Sequence, residues 1–462
     1  MKHVKLHVGN IAETVIRALG DLLPIKAEVP EEASGDVDDD GSSSTDGQSA
    51  NARFTSQLYL YETIGCVSSV KAVPAADQVL LVRTIIDPVF SEMENHLDAA
   101  RSGHTQARLQ IHHLIMALGT VARGFSDWMP SQTASSSQAP TSAVSEEFSR
   151  ASEAILVALD QLKSYFEVRE AGRFAFSRFI GVLGNRILSQ LPRWIEGLLT
   201  SNSTRDEIAL FMRLLDQIVY GFKAEIYDIL NTLLTPLLQR VFRSIGEPAT
   251  GTDDEIQLAE LKREYLAFLS VILNNDLESV LVSESKHLES RVFRNLADGI
   301  AVNQSTFGLI ISTMEHLARD TNDLPTAKLT ISVLVRMIST WGGPDVVSQP
   351  NSNQTMTLTN GDAKLKLPGF DQFMITRFSP LCWALPSNPS FDSKDAQSKQ
   401  VLAEAAMLQK AIYNKNGQEY LTYLRTELNG LGMDEGIIGE YLNALSNLDT
   451  KGFQQYFKVI TI

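Results

Sequence analysis

Residues 207–242 read EIALFMRLLDQIVYGFKAEIYDILNTLLTPLLQRVF, and their apolar side chains recur every three or four positions. Over 207–222 this spacing places the apolar side chains on one face of a helix and leaves Arg213 on the solvent face. Residues 226–242 repeat the pattern with Pro236 inside it, where the lost backbone hydrogen bond predicts a kink. The stretch therefore predicts two consecutive amphipathic helices.

The same helical period recurs along most of the chain, and no segment shows a convincing period-2 strand pattern. Two helices with their turns take about 40–45 residues, which is the period of HEAT or armadillo repeats. No sequence motif recurs at fixed positions, so the repeat is one of architecture. We predict an all-α fold, a HEAT-repeat α-solenoid forming a superhelical arch of about eight or nine antiparallel helix pairs. Further predicted helices cover 253–275, 277–302, 305–319, 324–341, 402–413, 419–431 and 435–445.

Four segments interrupt the helical pattern, and the shortest, residues 246–254, predicts a loop between helices. Residues 24–52 contain eight acidic residues and one lysine, a net charge of −7, with almost no large apolar side chains. Such a segment cannot bury enough surface to offset its ordering entropy, and we predict a disordered acidic insert. Residues 130–145 are rich in Ser, Pro and Thr and predict a second disordered loop, and residues 342–367 predict a longer loop between helices.

The composition excludes several classes of protein. A formal charge of −15 argues against a wholly basic nucleic-acid binder. The two cysteines, Cys66 and Cys382, are too few for a disulfide framework or a cysteine-based zinc site, which favours a reducing compartment. No apolar run approaches the length of about 20 residues that a membrane span needs, and the amino terminus lacks a signal-peptide pattern.

No motif for catalysis or for cofactor binding is found. The sequence has no phosphate-binding Gly-rich loop with its lysine, no paired-histidine zinc helix and no nucleophile elbow. His112 and His113 are adjacent, so a helix points them about 100° apart, and we expect one packed and one solvated imidazole. Cys66 lies in an apolar helix and is interpreted as an inert core thiol. We therefore predict no enzyme activity, no cofactor and no metal site, and composition and spacing favour a binding scaffold.

Positive charge is concentrated on a few predicted helices. Residues 163–193 hold six basic residues against two acidic ones, a net charge of +4, and Arg169 and Arg173 share one helix face. A row of arginines on neighbouring helices suits the phosphates of an RNA backbone. An ordinary charged face, paired with glutamates on adjacent turns, is the alternative interpretation. The candidate RNA-binding residues are Arg169, Arg173, Arg178, Arg186, Arg193, Arg240, Arg243, Lys262 and Arg263.

Five segments resemble a known family and occur in its order along the chain. They are QLYLYETIGCV at 57–67, the run from Arg213 to Phe242, KREYLAFLSVILNN at 262–275, the Trp341-Gly-Gly helix end, and the tail from Gly417 to Ile460. Leucine-rich helices are individually unspecific, but five such segments in register are specific. From about residue 53 to its end, the chain resembles the C-terminal half of the exportin-T family, the karyopherins that carry tRNA out of the nucleus.

This resemblance implies a HEAT-repeat exportin that binds tRNA cooperatively with Ran-GTP, meets nuclear pore proteins and shuttles between nucleus and cytoplasm. It implies recognition of tRNA shape and backbone, with no membrane insertion and no small-molecule substrate. The N-terminal half of the family, with its principal Ran-binding repeats, is not recognised, so we expect this chain alone to bind both ligands weakly. The acidic insert is either a loop that meets the basic surface of Ran or a low-complexity insertion.

A protein-binding HEAT scaffold, such as an import receptor for a protein cargo, is the alternative function. The net charge does not decide between the two, because the predicted insert 24–52 supplies −7 of the total −15. The salt dependence of binding does decide, because affinity for RNA falls with rising salt by about one log-slope unit for each phosphate contact.

Overall fold

The computed structural model describes residues 8–28, 45–125, 141–282, 306–347 and 367–460. These residues form helices and their connections, with no β-strand among them, and the all-α prediction is confirmed. The chain divides into two compact units, Met1–Phe222 (unit 1) and Lys223–Ile462 (unit 2).

The described helices of unit 1 are α1 (Val8–Leu19), α2 (Thr45–Ser68), α3 (Ala75–Arg101), α4 (Thr105–Arg123), α5 (Ser142–Leu162), α6 (Phe166–Leu183), α7 (Arg186–Leu198) and α8 (Arg205–Phe222). Alternate helices lie side by side, so α2, α4, α6 and α8 form one layer and α3, α5 and α7 form the other. Consecutive helices also pack across the two layers. This two-layer stack is the arrangement of HEAT repeats, as the sequence predicts.

Aromatic side chains fill the core of unit 1. The ring of Phe176 in α6 lies 4.9 Å from that of Trp194 in α7 and 6.3 Å from that of Phe211 in α8, measured between centroids. All three side chains are fully buried. Because burying a large apolar side chain stabilises a fold by about 1.5–3 kcal/mol, these rings hold the two layers together.

Helices α2 and α4 cross so closely that their backbones touch. A Cβ atom on Gly124 would lie 2.3 Å from the carbonyl carbon of Gly65, and one on Gly65 would lie 2.3 Å from the carbonyl oxygen of Val121. Only glycine fits at either position. The crossing brings Glu62 of α2 beside Arg123 of α4, with 2.9 Å between the carboxylate and the guanidinium.

The described helices of unit 2 are α9 (Tyr227–Gly246), α10 (Thr252–Asn274), α11 (Glu278–Leu281), α12 (Thr306–Leu317), α13 (Leu324–Trp341), α14 (Phe370–Phe373), α15 (Leu381–Ala384), α16 (Ala396–Asn416), α17 (Gln418–Gly430), α18 (Glu435–Asn447) and α19 (Thr450–Ile460). Helices α10, α13, α16 and α19 form one layer, and α9 packs against α10, α11 and α12. A π-helical turn, Met374–Phe378, follows α14.

Most of the helices predicted from the period are found close to their predicted bounds. Pro236 lies inside α9, which continues on both sides of it. The predicted helix over 277–302 is found only at its start, as α11, because residues 283–305 lie outside the described part of the chain.

The predicted disorder of residues 24–52 is wrong at both ends of the segment. The side chains of Ile25 and Ala27 are buried, and the Gln110 amide accepts a hydrogen bond from Ala27 N and donates one to Ile25 O, each at 2.7 Å. Helix α2 already begins at Thr45. Residues 29–44 lie outside the described part, and the disorder predicted for them stays a prediction.

The predicted loop over 246–254 is shorter in the structure, because α9 ends at Gly246 and α10 begins at Thr252. The two other predicted loops are only partly described. The predicted Ser/Pro-rich loop over 130–145 is wrong at its end, because α5 begins at Ser142 with the Thr141 hydroxyl accepting a hydrogen bond from Val144 N. Residues 130–140, and most of the predicted loop over 342–367, lie outside the described residues. Residues 342–347 are non-helical, and Val346 N donates to Asn414 O at 2.9 Å.

Cys66 is exposed, which corrects its interpretation as a core thiol, whereas Cys382 is buried. None of the described helices is both long and apolar enough to cross a membrane.

Candidate nucleic-acid interface

Arg169 and Arg173, the first two predicted RNA contacts, lie in the core of unit 1. Their side chains are 3% and 8% exposed, and both guanidiniums donate to the fully buried carboxylate of Glu207 in α8. Arg169 reaches both carboxylate oxygens at 2.9 Å, and Arg173 reaches one at 2.6 Å. Arg169 and Arg173 do share one face of α6, but that face packs against α8.

The Glu207 carboxylate is held by more than the two arginines. The backbone N–H of Thr204 donates to it at 3.0 Å, and the backbone N–H of Glu207 donates to the Thr204 hydroxyl at 3.2 Å, which is a capping box at the start of α8. Burial alone raises the pKa of Glu207, but hydrogen bonds from Arg169, Thr204 and Arg173 outweigh it and lower the pKa. This ion triad is a structural element, so Arg169 and Arg173 are not candidate phosphate contacts.

Arg186 and Arg193 lie on α7 and pair with carboxylates of α5. Arg193 donates to Glu153 at 2.6 Å and to Asp160 at 2.8 Å. Arg186 pairs with Glu146 and also donates to a serine hydroxyl of α5. For these two residues the structure matches the alternative interpretation, a charged face paired across neighbouring helices.

Lys262 on α10 forms a structural link as well. Its ammonium lies 3.4 Å from the Asp320 carboxylate and 3.5 Å from the Asp323 carboxylate, and its side chain is only 12% exposed. Asp323 also caps the start of α13 by accepting a hydrogen bond from Thr326 N. Lys262 therefore ties α10 to the turn before α13.

Three of the predicted residues in unit 2 lie on or near the surface. Arg243 on α9 and Arg263 on α10 are exposed, and neither forms an ion pair with another described residue, whereas Arg240 is half-buried. The neighbouring rings of Phe242 and Tyr265 are 5.6 Å apart, which brings the two helices together near Arg243 and Arg263. Arg243 and Arg263 remain candidate phosphate contacts.

Arg178 is the remaining candidate in unit 1, and it is half-buried near the carboxyl end of α6. Its guanidinium lies 5.0 Å from the ring centroid of Phe174, within the range of a cation–π contact. Burial lowers the pKa of Arg178, the neighbouring Arg123 lowers it further, and Glu62 opposes both effects. Arg123 was not among the predicted contacts, because it lies on another helix and nothing in the local sequence indicates that it meets Arg178.

The two adjacent histidines form a packed pair. The Nδ1 atoms of His112 and His113 are 2.9 Å apart, and the His113 ring stacks on Phe54 with centroids 3.5 Å apart. Burial and the neighbouring His112 lower the pKa of His113 to about 4, and burial lowers the pKa of His112. Both rings are therefore mostly neutral at pH 7. Within the described ranges no group of His, Cys, Asp and Glu side chains could hold a metal ion.

Comparisons with known proteins give one family. Residues 1–462 match the family model described as Exportin-T. The Exportin-T of Neosartorya fischeri is 56% identical over 460 residues, which cover 99% of this chain and 42% of that protein. The Exportin-T of Aspergillus oryzae is 56% identical over 464 residues, and that of Emericella nidulans is 54% identical over 459 residues. The chain thus spans about 42% of the length of these curated relatives.

Proposed function

The chain belongs to the exportin-T family, and we propose on that basis that it forms part of a receptor that carries tRNA from the nucleus to the cytoplasm. In this proposal the receptor binds tRNA together with Ran-GTP, meets nuclear pore proteins in transit and shuttles between the two compartments. The chain acts by binding, and no catalytic residue is required of it.

Family membership over the full chain is the observation that carries this proposal. The arginines Arg178, Arg243 and Arg263 support it, because they are the predicted basic residues for which no carboxylate of the described chain lies at ion-pair distance. Guanidiniums bind phosphate oxygens through paired hydrogen bonds, and a folded RNA offers such phosphates on a defined A-form surface. The contacts are therefore to the shape and backbone of tRNA.

Cooperation between tRNA and Ran-GTP has a simple physical basis in a stack of helices. Each repeat contacts only its neighbours, so the curvature of the stack is soft and several curvatures are accessible. If both ligands favour the same curvature, the first ligand to bind offsets part of the ordering cost of the second. Hydrolysis of GTP by Ran then removes one ligand and weakens the hold on the other.

The test is the binding of fluorescently labelled tRNA to the chain, with Ran loaded with a non-hydrolysable GTP analogue or with GDP. We expect tighter tRNA binding with the GTP form. For each phosphate contact, log affinity should fall by about 0.7–0.9 for every tenfold rise in salt concentration. Equal affinity with the two forms, together with an affinity independent of salt, would contradict the proposal and favour a protein cargo.

A further inference from the structure

Arg123 and Arg178 come together on the surface of the layer formed by α2, α4 and α6. Helices α4 and α6 touch one turn earlier, since a Cβ atom on Gly119 would lie 2.8 Å from the Cα atom of Ala175. The charge of Arg123 also lowers the pKa of Arg178. The Glu62 carboxylate of α2 lies 2.9 Å from the Arg123 guanidinium, and the Glu62 side chain is 27% exposed. Two cationic side chains thus converge on one carboxylate at a place that solvent can reach.

Arg178 differs in its pairing from the other arginines of α6 and α7. Arg169, Arg173, Arg186 and Arg193 each lie within 3.0 Å of at least one carboxylate oxygen. For Arg178 no carboxylate of the described residues lies at ion-pair distance, and its buried Nε atom donates to no described acceptor. Glu62 acts on the Arg178 guanidinium only from beyond ion-pair distance, so partial burial leaves this guanidinium without a directly bonded counter-charge.

We propose that Arg123 and Arg178 form a phosphate-binding subsite for the backbone of an RNA, with Glu62 paired to Arg123 when the subsite is empty. This proposal rests on the proposed function, since it assigns one contact of the RNA cargo. The sequence pattern does not predict this subsite, because its two arginines and its carboxylate come from three different helices.

The geometry suits a phosphate group. The Phe174 ring lies against the Arg178 guanidinium and limits its orientations, so less side-chain entropy is lost on binding. A phosphate between two guanidiniums accepts hydrogen bonds from both, and partial burial strengthens each of these charge-assisted bonds. The same chemistry would attract the carboxylates of an acidic protein segment, which is the competing occupant.

Glu62 distinguishes the empty subsite from the occupied one. Without a ligand, the Glu62 carboxylate pairs with Arg123 and keeps two like charges from facing each other unscreened. An incoming phosphate takes over this role, because it carries the negative charge that both arginines can share. Glu62 is thus a competitor of the ligand and a positioning residue for Arg123.

The experiment measures the slope of log affinity against log salt for tRNA in the presence of GTP-form Ran. We compare the wild-type chain with Arg123→Gln, Arg178→Gln and the matched control Arg193→Gln, which removes one charge from a surface arginine that pairs with two carboxylates. Each of the first two variants should lower the slope by about 0.7–0.9 and weaken binding by about tenfold at 0.1 M salt, and the control should change neither. Wild-type slopes in Arg123→Gln and Arg178→Gln would overturn the subsite while leaving the proposed function standing.

A second measurement separates failure of the subsite from failure of the proposed function. If the wild-type chain binds no tRNA even with GTP-form Ran, the proposed function fails for this part of the receptor, and titration with pyrophosphate then decides the subsite. Pyrophosphate binding that disappears in Arg178→Gln supports the subsite, and absence of pyrophosphate binding overturns it. Binding of a polyglutamate peptide that needs both arginines, with no binding of pyrophosphate, overturns it in favour of an acidic protein partner.

Discussion

At the start of α6, Arg169 and Arg173 donate to the buried carboxylate of Glu207, whereas Arg178 near the end of the same helix lies beside Arg123 with no carboxylate of the described chain at ion-pair distance. The residue type and the helix are the same, and the surroundings differ. A buried arginine that is hydrogen-bonded to a carboxylate stabilises the fold. A partly buried arginine with no carboxylate at ion-pair distance can instead bind an anion. The carboxylates supplied by neighbouring helices therefore decide what each arginine does.

The largest effect is expected from removing the shared carboxylate at the start of α6. Glu207→Gln leaves two buried guanidiniums without a counter-charge, and we expect the free energy of unfolding of the protein to fall by about 3–5 kcal/mol. Urea denaturation at pH 7 measures it. The control is Glu196→Gln, which removes a surface partner of Lys163 that is 70% exposed and should cost less than about 1 kcal/mol. An equal loss of unfolding free energy in the two variants would show that the Arg169–Glu207–Arg173 triad stabilises the fold no more than a surface ion pair does.

Low pH should also destabilise the protein at the start of α6, because it protonates the Glu207 carboxylate that pairs with Arg169 and Arg173. The pKa of Glu207 is lower in the folded protein than its usual value, so the ionised carboxylate stabilises the fold fully above the unfolded pKa of about 4.3. This stabilisation is lost as the pH falls from there through the folded pKa. Melting temperatures of the wild type and of Glu207→Gln, measured between pH 7 and pH 3, should therefore converge at low pH. A constant difference over that range would contradict the role of the ionised group.

A smaller effect is expected at the crossing of α2 and α4, which places Glu62 beside Arg123. Gly124→Ala places a Cβ atom 2.3 Å from the carbonyl carbon of Gly65, so α2 and α4 must separate, at a cost of about 1–3 kcal/mol. The separation should also move Glu62 from Arg123 and change tRNA affinity. Gly246→Ala is the control, because nothing lies within 4 Å of a Cβ atom there, and its effect should be within about 1 kcal/mol.

The smallest effect is expected from the carboxylate that competes at the arginine pair. Glu62→Gln removes a partly exposed ion pair, so stability should change by less than about 1 kcal/mol, while tRNA affinity should rise by about two- to fivefold. Fluorescence titration with labelled tRNA at fixed salt measures the affinity. Weaker tRNA binding in this variant would show that Glu62 supports the ligand and does not compete with it.

The helices were predictable because the spacing of apolar residues within each helix indicates which face is buried. The stripe over 207–222 predicts α8 almost to the residue, since an apolar face needs only local periodicity. The ends of the predicted disordered insert were not predictable from composition. The segment around Ile25 is held by Gln110, which lies far along the chain and gives no local signal.

The candidate contacts were harder to predict because their roles depend on partners from other helices. The sequence places Arg169 and Arg173 on one face correctly, but it does not reveal that this face meets Glu207. The Thr-x-x-Glu pattern at 204–207 marks a helix start and gives no information about partners across the layer. In the same way, nothing near Arg178 in the sequence indicates Arg123 as its neighbour.

The most direct test compares one arginine from each end of α6, Arg169→Gln and Arg178→Gln, for both stability and tRNA binding. We predict that Arg169→Gln lowers the free energy of unfolding and leaves the salt slope of tRNA binding unchanged. We predict that Arg178→Gln lowers that slope by about 0.7–0.9 and changes stability by no more than about 1 kcal/mol. A lowered salt slope in Arg169→Gln, or an unchanged one in Arg178→Gln, would contradict these roles of the two arginines.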